Sequence, residues 1–136
     1  MTLEEAQMEF THRLDVFKRE MERRGRGFQW GERFRTMARQ GQLYAQGRTT
    51  PGPIVTKAKP GQSAHNFRLG QDIIPMLDGH RCLGAKLQRV GYWNDVREAS
   101  RLAELTWGGN WRMRDYLHLE LPDWKLDSAV RPTRPR

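Results

Sequence analysis

Among the side chains able to do chemistry, one group stands apart by position: His65 and Asp72, seven residues apart, and His118, with Asp115 three residues before it. Two imidazoles and one carboxylate are a donor set suited to catalytic zinc, because three protein ligands leave a fourth position open for water. A metal held in that way lowers the pKa of the water toward about 7. A carboxylate beside it is then needed to take the proton and pass it on. The other two histidines sit elsewhere: His12 stands beside Arg13 in a helical pattern and reads as a surface residue, and His80 follows a turn glycine and reads as structural rather than as a fourth ligand. Spacing alone leaves two readings open, since a histidine and an aspartate seven apart also fit a hydrogen-bonded histidine beside a turn carboxylate. Cys82 is the only cysteine, so no disulfide forms within the chain, a cysteine-only metal site is excluded, and the thiol reads as a small hydrophobe.

The elements that must position these residues can be read from hydrophobic spacing. Phe10, Leu14, Phe17 and Met21 fall on one helical face and predict a helix over residues 3–23, with Thr2 and Glu5 at capping-box spacing and a basic run from Arg23 ending it. Phe28 to Phe34 reads as a short strand, and Thr36 is placed to cap a helix running to about Ala45, with Gly47 as its stop. Residues 47–64 hold three prolines and three glycines and read as a long loop, with Ile54-Val55-Thr56 as a short extended piece and Arg48 tying the loop down. Asp72 to Met76 reads as a strand near a sheet edge, because Pro75 lacks a ladder donor, and Asp78-Gly79 reads as a turn. Asn94 is placed as the N-cap of a helix to about Glu104, and Trp107-Gly108-Gly109-Asn110-Trp111 as a turn whose tryptophans pack in the core and the turn. From Tyr116 to Leu121 the pattern alternates, with Leu117, Leu119 and Leu121 on one face and Tyr116, His118 and Glu120 on the other. In a strict strand Asp115 and His118 would face opposite ways, so a shared site requires a bend at Arg114-Asp115 with the strand beginning after it. Helices and strands mix without regular βαβ alternation or internal repeat, so the fold class is α+β.

A chain of 136 residues is long enough to bury one core unaided and reads as a single domain over 1–136, with the basic, proline-rich residues 125–136 as a flexible tail. The net charge of +8 points to an anionic partner: nucleic acid, a membrane surface, or an acidic polymer such as a bacterial wall. No recognisable nucleic-acid-binding module accompanies the charge. No stretch reaches the roughly 18 apolar residues of a membrane span. The start Met1-Thr2-Leu3-Glu4-Glu5 lacks the basic and apolar runs of a secretory signal. The expectation is a soluble protein that stays in a cytoplasm until something releases it.

Ser63-Ala64-His65-Asn66-Phe67-Arg68-Leu69-Gly70-Gln71-Asp72 resembles the Ser-x-His-x-x-Gly-x-Ala-x-Asp motif of the zinc D-Ala-D-Ala carboxypeptidase family, which includes the phage L-alanyl-D-glutamate endopeptidases. Asp115-Tyr116-Leu117-His118 is similar to the family's second motif, Asp/Glu-x-x-His. The segments Phe34-Arg35-Thr36, Leu43 to Thr49, Pro51-Gly52, Val55-Thr56 and Trp107 to Trp111 resemble the phage endolysin branch in order, so the resemblance spans roughly residues 28–124. It implies a small antiparallel sheet with helices packed on one face and a zinc site on the other. The Zn2+ ligands it implies are His65, Asp72 and His118, with Asp115 as the acid/base, Arg35 steadying the oxyanion, and Ser63 near the substrate or supporting a ligand. Glu120 shares a face with His118 and is either that ligand's partner or a rim carboxylate.

The implied reaction is hydrolysis of peptidoglycan stem peptides, preferably between L-Ala and D-Glu, by a phage endolysin in host lysis. A D-Ala-D-Ala carboxypeptidase and an inactive wall-binding relative are the alternatives. The expected partners are peptidoglycan and the anionic envelope, met by the basic surface of a monomer, with no nucleic acid and no transmembrane segment. The expected location is the host cytoplasm before release to the periplasm and wall. Several positions depart from the family pattern: Arg68 stands where the motif has Gly, Gly70 where it has Ala, Arg33 where Gly commonly precedes the Phe-Arg pair, Leu117 for Pro and Leu119 for Phe. An arginine at a backbone position that needs positive φ is costly, so the shape of this loop and the substrate preference are what these departures put at stake.

Overall fold

The computed structural model describes residues 1–126. Of the expected tail, residues 125 and 126 fall in a short 3-10 turn, Trp124–Leu126, and residues 127–136 lie outside the described residues. Helix α1 spans Leu3–Arg23, with the Thr2 hydroxyl accepting from the Glu5 N–H at 3.1 Å and the Glu5 side chain returning the contact. Its inward stripe of Ala6, Phe10, Leu14, Phe17 and Met21 is buried, and burial of each large member is worth about 1.5–3 kcal/mol. That stripe shares a core with Val96 and Ala99 of helix α4 (Tyr92–Leu102) and with Leu69, Ile73, Trp107 and Leu119 from the sheet side. Arg24 and Arg26 both donate to Asp95, at 3.0 and 2.8 Å, and clamp the end of α1 to α4.

The sheet is antiparallel, in the order β1 (Gly27–Trp30), β2 (Gly70–Leu77), β5 (His118–Glu120), β4 (Thr106–Trp107), with β3 (His80–Arg81) also pairing β2. The fold is α+β, with α1 and α4 packed on one face of the sheet and α2 (Met37–Ala45) beside the other. Strand β2 is central, not near an edge as Pro75 suggested. On one side it pairs β1; on the other it pairs β5 through Asp72 and β3 from Met76 onward. Pro75 stands where the ladder to β3 runs out: its carbonyl accepts from the Cys82 N–H, and it has no N–H to return that bond. Asp78 and Gly79 both take positive φ, 53° and 78°, and form the two-residue hairpin joining β2 to β3.

Strand β1 stops at Trp30, short of the expected Phe34. Residues 31–35 instead run beside the later site: the Gly31 N–H donates to Asp72 O, the Asp72 N–H to Glu32 O, and the Arg35 N–H to His65 O. The Thr36 hydroxyl caps α2 (Met37–Ala45) by accepting from the Arg39 N–H. Ile54-Val55-Thr56 forms no strand. The loop is fastened by Arg48, which donates to the carbonyls of Tyr44 and Thr56 and stacks on the Tyr44 ring. Helix α4 starts at Tyr92 after Gly91 (φ 75°), so Asn94 lies inside the helix and does not cap it. The short α3, Lys86–Arg89, has no counterpart in the sequence reading.

Candidate metal centre and cleft

Three side chains from three separate elements meet on the face of the sheet away from α1 and α4. Ser63 caps the 3-10 turn Ala64–Phe67, its hydroxyl accepting from the His65 N–H at 3.3 Å, and the turn presents His65. Asp72 and His118 are direct cross-strand partners on β2 and β5. The facing atoms form a near-regular triangle: His65 Nε2 to Asp72 Oδ1 3.2 Å, His65 Nε2 to His118 Nδ1 3.2 Å, and His118 Nδ1 to Asp72 Oδ1 3.5 Å. Tetrahedral zinc with bonds of about 2.0–2.1 Å has ligand–ligand edges of roughly 3.3–3.4 Å, so the donor set fits zinc in both chemistry and spacing.

The far side of each ring is also fixed. His65 Nδ1 lies 2.9 Å from the Arg33 carbonyl, which makes it the N–H and leaves Nε2 as the donor atom. His118 Nε2 donates to Glu120 Oε1 at 2.7 Å, which leaves Nδ1 facing Asp72. Glu120 in turn accepts from Trp124 Nε1 through its other oxygen, at 3.0 Å. It is therefore the partner that orients His118, and not a rim carboxylate. Exchange of Glu120 for Gln should weaken zinc binding by about 10–100-fold, read by competition with a chelator. Unchanged affinity would show that this bond does not hold the ring.

Without metal the three side chains hold one another's charge through hydrogen bonds. Burial opposes charge on Asp72, but hydrogen bonds from His118 and His65 outweigh it and hold the carboxyl well below its usual range. For His118, burial again opposes charge, and the hydrogen bonds to Asp72 and Glu120 prevail, pulling the imidazole up to about 9. The negative charge of Asp115 contributes to the same shift.

Asp115 precedes β5, outside regular strand, as the required bend demands. Its N–H donates to the Gly108 carbonyl at 2.9 Å, and its own carbonyl accepts from the His118 N–H at 3.3 Å. A Cβ on Gly108 would overlap the Asp115 carbonyl oxygen, and one on Gly109 would run into the Trp107 ring, so the paired glycines let the bend close. Trp107 Nε1 donates to the Tyr116 carbonyl and ties the same bend to the core. Trp111 is not turn packing: it is 36% exposed, its ring lies 5.3 Å from that of His118, and it walls the cleft.

The cleft, about 790 Å³, is also lined by Ser63 and Arg35. Arg35 gives Nε and Nη2 to the Glu32 carboxylate, at 3.0 and 2.8 Å, and Nη1 to Oε1 of the fully buried Gln40 at 3.0 Å. The Arg35 hydrogen bond draws Glu32 below its usual range despite partial burial. Gln40 also donates to the Ala58 carbonyl, and Asn66 Nδ2 to the Arg35 carbonyl, so two buried amides join the Arg35 segment to the long loop. The sequence reading missed Glu32, Gln40 and Asn66; the one local signal was Gln40 on the inward side of α2.

His12 and His80 are exposed and outside the cleft, and Cys82 is half-buried. Arg68 does occupy a left-handed position (φ 59°), ending the turn that carries His65, and its guanidinium lies 4.1 Å from the centre of the Phe34 ring. Arg33 stacks over Phe10 and donates to the Thr11 hydroxyl. Neither arginine lines the cleft. At Gly70 a Cβ would come within 3.0 Å of both His118 Cε1 and the His65 backbone nitrogen, so glycine lets β2 run tight under the His118 ring and the turn that carries His65.

Residues 56–121 match the family described as D-alanyl-D-alanine carboxypeptidase. Over 96 residues the chain is 38% identical to the peptidoglycan L-alanyl-D-glutamate endopeptidase CwlK of Bacillus subtilis, an alignment covering 66% of this chain and 58% of that protein. The chain thus spans less than two thirds of that relative's length. The crystal structure of the Serratia marcescens L-Ala D-Glu endopeptidase ChiX is similar in fold, with a TM-score of 0.62 at 20% identity over 86% of this chain and 80% of that one.

Proposed function

Because residues 56–121 match the D-alanyl-D-alanine carboxypeptidase family, we propose that the chain is a zinc-dependent peptidase that cuts peptidoglycan stem peptides between L-Ala and D-Glu. The observation that carries this reading is the triangle of His65 Nε2, Asp72 Oδ1 and His118 Nδ1 at the edge lengths of tetrahedral zinc, with Asp115 lining the same cleft and its charge acting on His118. The choice of bond is supported by the curated relative, whose name is that of an L-alanyl-D-glutamate endopeptidase.

A zinc ion held by the three ligands would supply a Lewis acid and a water that ionises near neutral pH. Asp115 takes the proton of the attacking water and returns one to the leaving amine nitrogen, so a single carboxylate serves as base and then as acid. Arg35 directs its remaining N–H groups toward the scissile carbonyl, where charge builds in the transition state. Glu32 and Gln40 fix its plane beforehand, so little reorganisation is needed. Ser63 holds the turn that presents His65. Trp111 shields one side of His118 from water.

The test is digestion of purified peptidoglycan with analysis of the fragments by mass spectrometry, alongside zinc content. One zinc per chain and new ends at L-Ala and D-Glu are expected, with both zinc and cleavage lost to a strong chelator and regained on adding zinc. Release of terminal D-Ala alone would replace this reading with a carboxypeptidase; bound zinc without turnover would replace it with a wall-binding protein. The biological role we propose is that of a phage endolysin, held in the host cytoplasm until release. It is supported by the resemblance of residues 34–56 and 107–111 to that branch, and by a charge of +8 suited to an anionic wall.

A further inference from the structure

Four carboxylates line the cleft, and each is accounted for: Glu32 pairs with Arg35, Asp72 faces the two histidines, Glu120 bonds His118 and Trp124, and the exposed Asp115 is the proposed acid/base. The lining cations are not matched in the same way. Arg39, Lys57 and Arg114 line the cleft and take part in no ion pair among the described residues. A cleft with uncancelled positive charge around an acid/base suits a substrate carrying a carboxylate close to the bond that is cut.

In a stem peptide, D-Glu is acylated on its amine by L-Ala and continues the chain through its side-chain carboxyl. Its α-carboxylate is therefore free, on the same carbon that bears the leaving nitrogen. The group that protonates that nitrogen is Asp115, so the carboxylate must come to rest on the Asp115 side of the cleft. Arg114 is the next residue in the chain. Its Nη1 donates to the Gly109 carbonyl at 3.0 Å, which orients the guanidinium and leaves Nε and Nη2 for a two-point contact with a carboxylate. Arg39, on α2, and Lys57, on the long loop, reach the cleft from other elements than the bend that carries Asp115.

Resting on the proposed cleavage between L-Ala and D-Glu, we infer that Arg114 reads the free α-carboxylate of D-Glu, so that the protein selects stem peptides with free D-Glu over those carrying the α-amide, D-isoglutamine. The discrimination follows from charge: an amide offers one acceptor and two donors to a group that can only donate, and it brings no charge.

The test uses two synthetic stem peptides that differ only in this carboxylate and carboxamide. The zinc-loaded protein should cleave the free acid with a kcat/KM about tenfold or more above that of the amide, as expected for one charge-assisted pair shielded by bound substrate. Arg114→Gln should bring the ratio near unity, mainly by slowing the acid, and Arg114→Lys should restore part of it. Turnover of the amide serves as the internal check that the variant has kept its Asp115 bend. An unchanged ratio in Arg114→Gln, or a ratio abolished by Lys57→Gln or Arg39→Gln instead, would overturn the assignment. Cleavage of neither peptide between L-Ala and D-Glu would remove the proposed reaction. In that event, binding to zinc-loaded Asp115→Asn protein, with and without Arg114→Gln, still decides. A preference for the acid that vanishes with Arg114 upholds the inference, and equal affinities overturn it.

Discussion

Exchange of Asp115 for Asn should lower the rate of stem-peptide cleavage by about 10²–10⁴-fold while leaving one zinc per chain. The expectation rests on a separation of tasks. The three donor atoms of the triangle come from His65, Asp72 and His118. Asp115 reaches the same centre as a charge near His118 and through its backbone: its N–H meets Gly108, and its carbonyl accepts from the His118 N–H. Asn keeps the size of the side chain and leaves those backbone bonds in place, but it cannot take a proton from water or give one to an amine. Zinc content by emission spectroscopy and cleavage by mass spectrometry should therefore part company in this variant. Zinc lost together with activity would make Asp115 part of the metal site. Activity kept would place the acid/base elsewhere, with Glu32 the remaining cleft carboxylate that binds neither histidine.

The same division explains what the sequence could and could not disclose. Local rules were enough wherever the cause was local. The stripe Phe10-Leu14-Phe17-Met21 and the Thr2–Glu5 spacing mark α1 to the residue, and Asp78-Gly79 marks its hairpin. The bend at Asp115 was legible because a period of two cannot put residues 115 and 118 on one face. Pro75 misled because the proline rule concerns one residue's donor, whereas the place where the β3 ladder runs out is a property of the pairing of strands. Arg68 is the reverse case: its left-handed backbone is real, and the Phe34 ring against its guanidinium offsets part of the strain. Trp111 and the Glu32–Arg35–Gln40 chain lay beyond reach, since nothing in a linear spacing says which aromatic faces a cleft or which buried amide meets an arginine.

Zinc affinity should rise with pH, by about tenfold per unit near pH 7 and about fiftyfold between pH 7 and 9, because the metal must displace a proton from His118. In the metal-free protein that imidazole is pulled up to about 9 by Asp72 and Glu120, against the burial that opposes it, and the imidazolium occupies the place of the missing cation. Uptake at pH 7 should release close to one proton per zinc, countable by calorimetry in buffers of different ionisation enthalpy. Stability carries the matching signature. The raised His118 contributes in full below its ordinary value of 6.5, and that contribution is lost as pH climbs through 9. The depressed Asp72 contributes above its ordinary value of 3.8 and is lost only as pH falls through its lower folded value. The metal-free protein should accordingly be most stable between about pH 4 and 6.5 and should soften on the alkaline side. Zinc-loaded protein should do the opposite over the alkaline range, since tighter binding to the folded state adds stability there. The gap in Tm between the two forms should widen steadily from pH 6.5 to 9. A gap that stays constant, with no proton released, would mean that His118 is already neutral in the metal-free site and that Asp72 and Glu120 do not hold a proton on it.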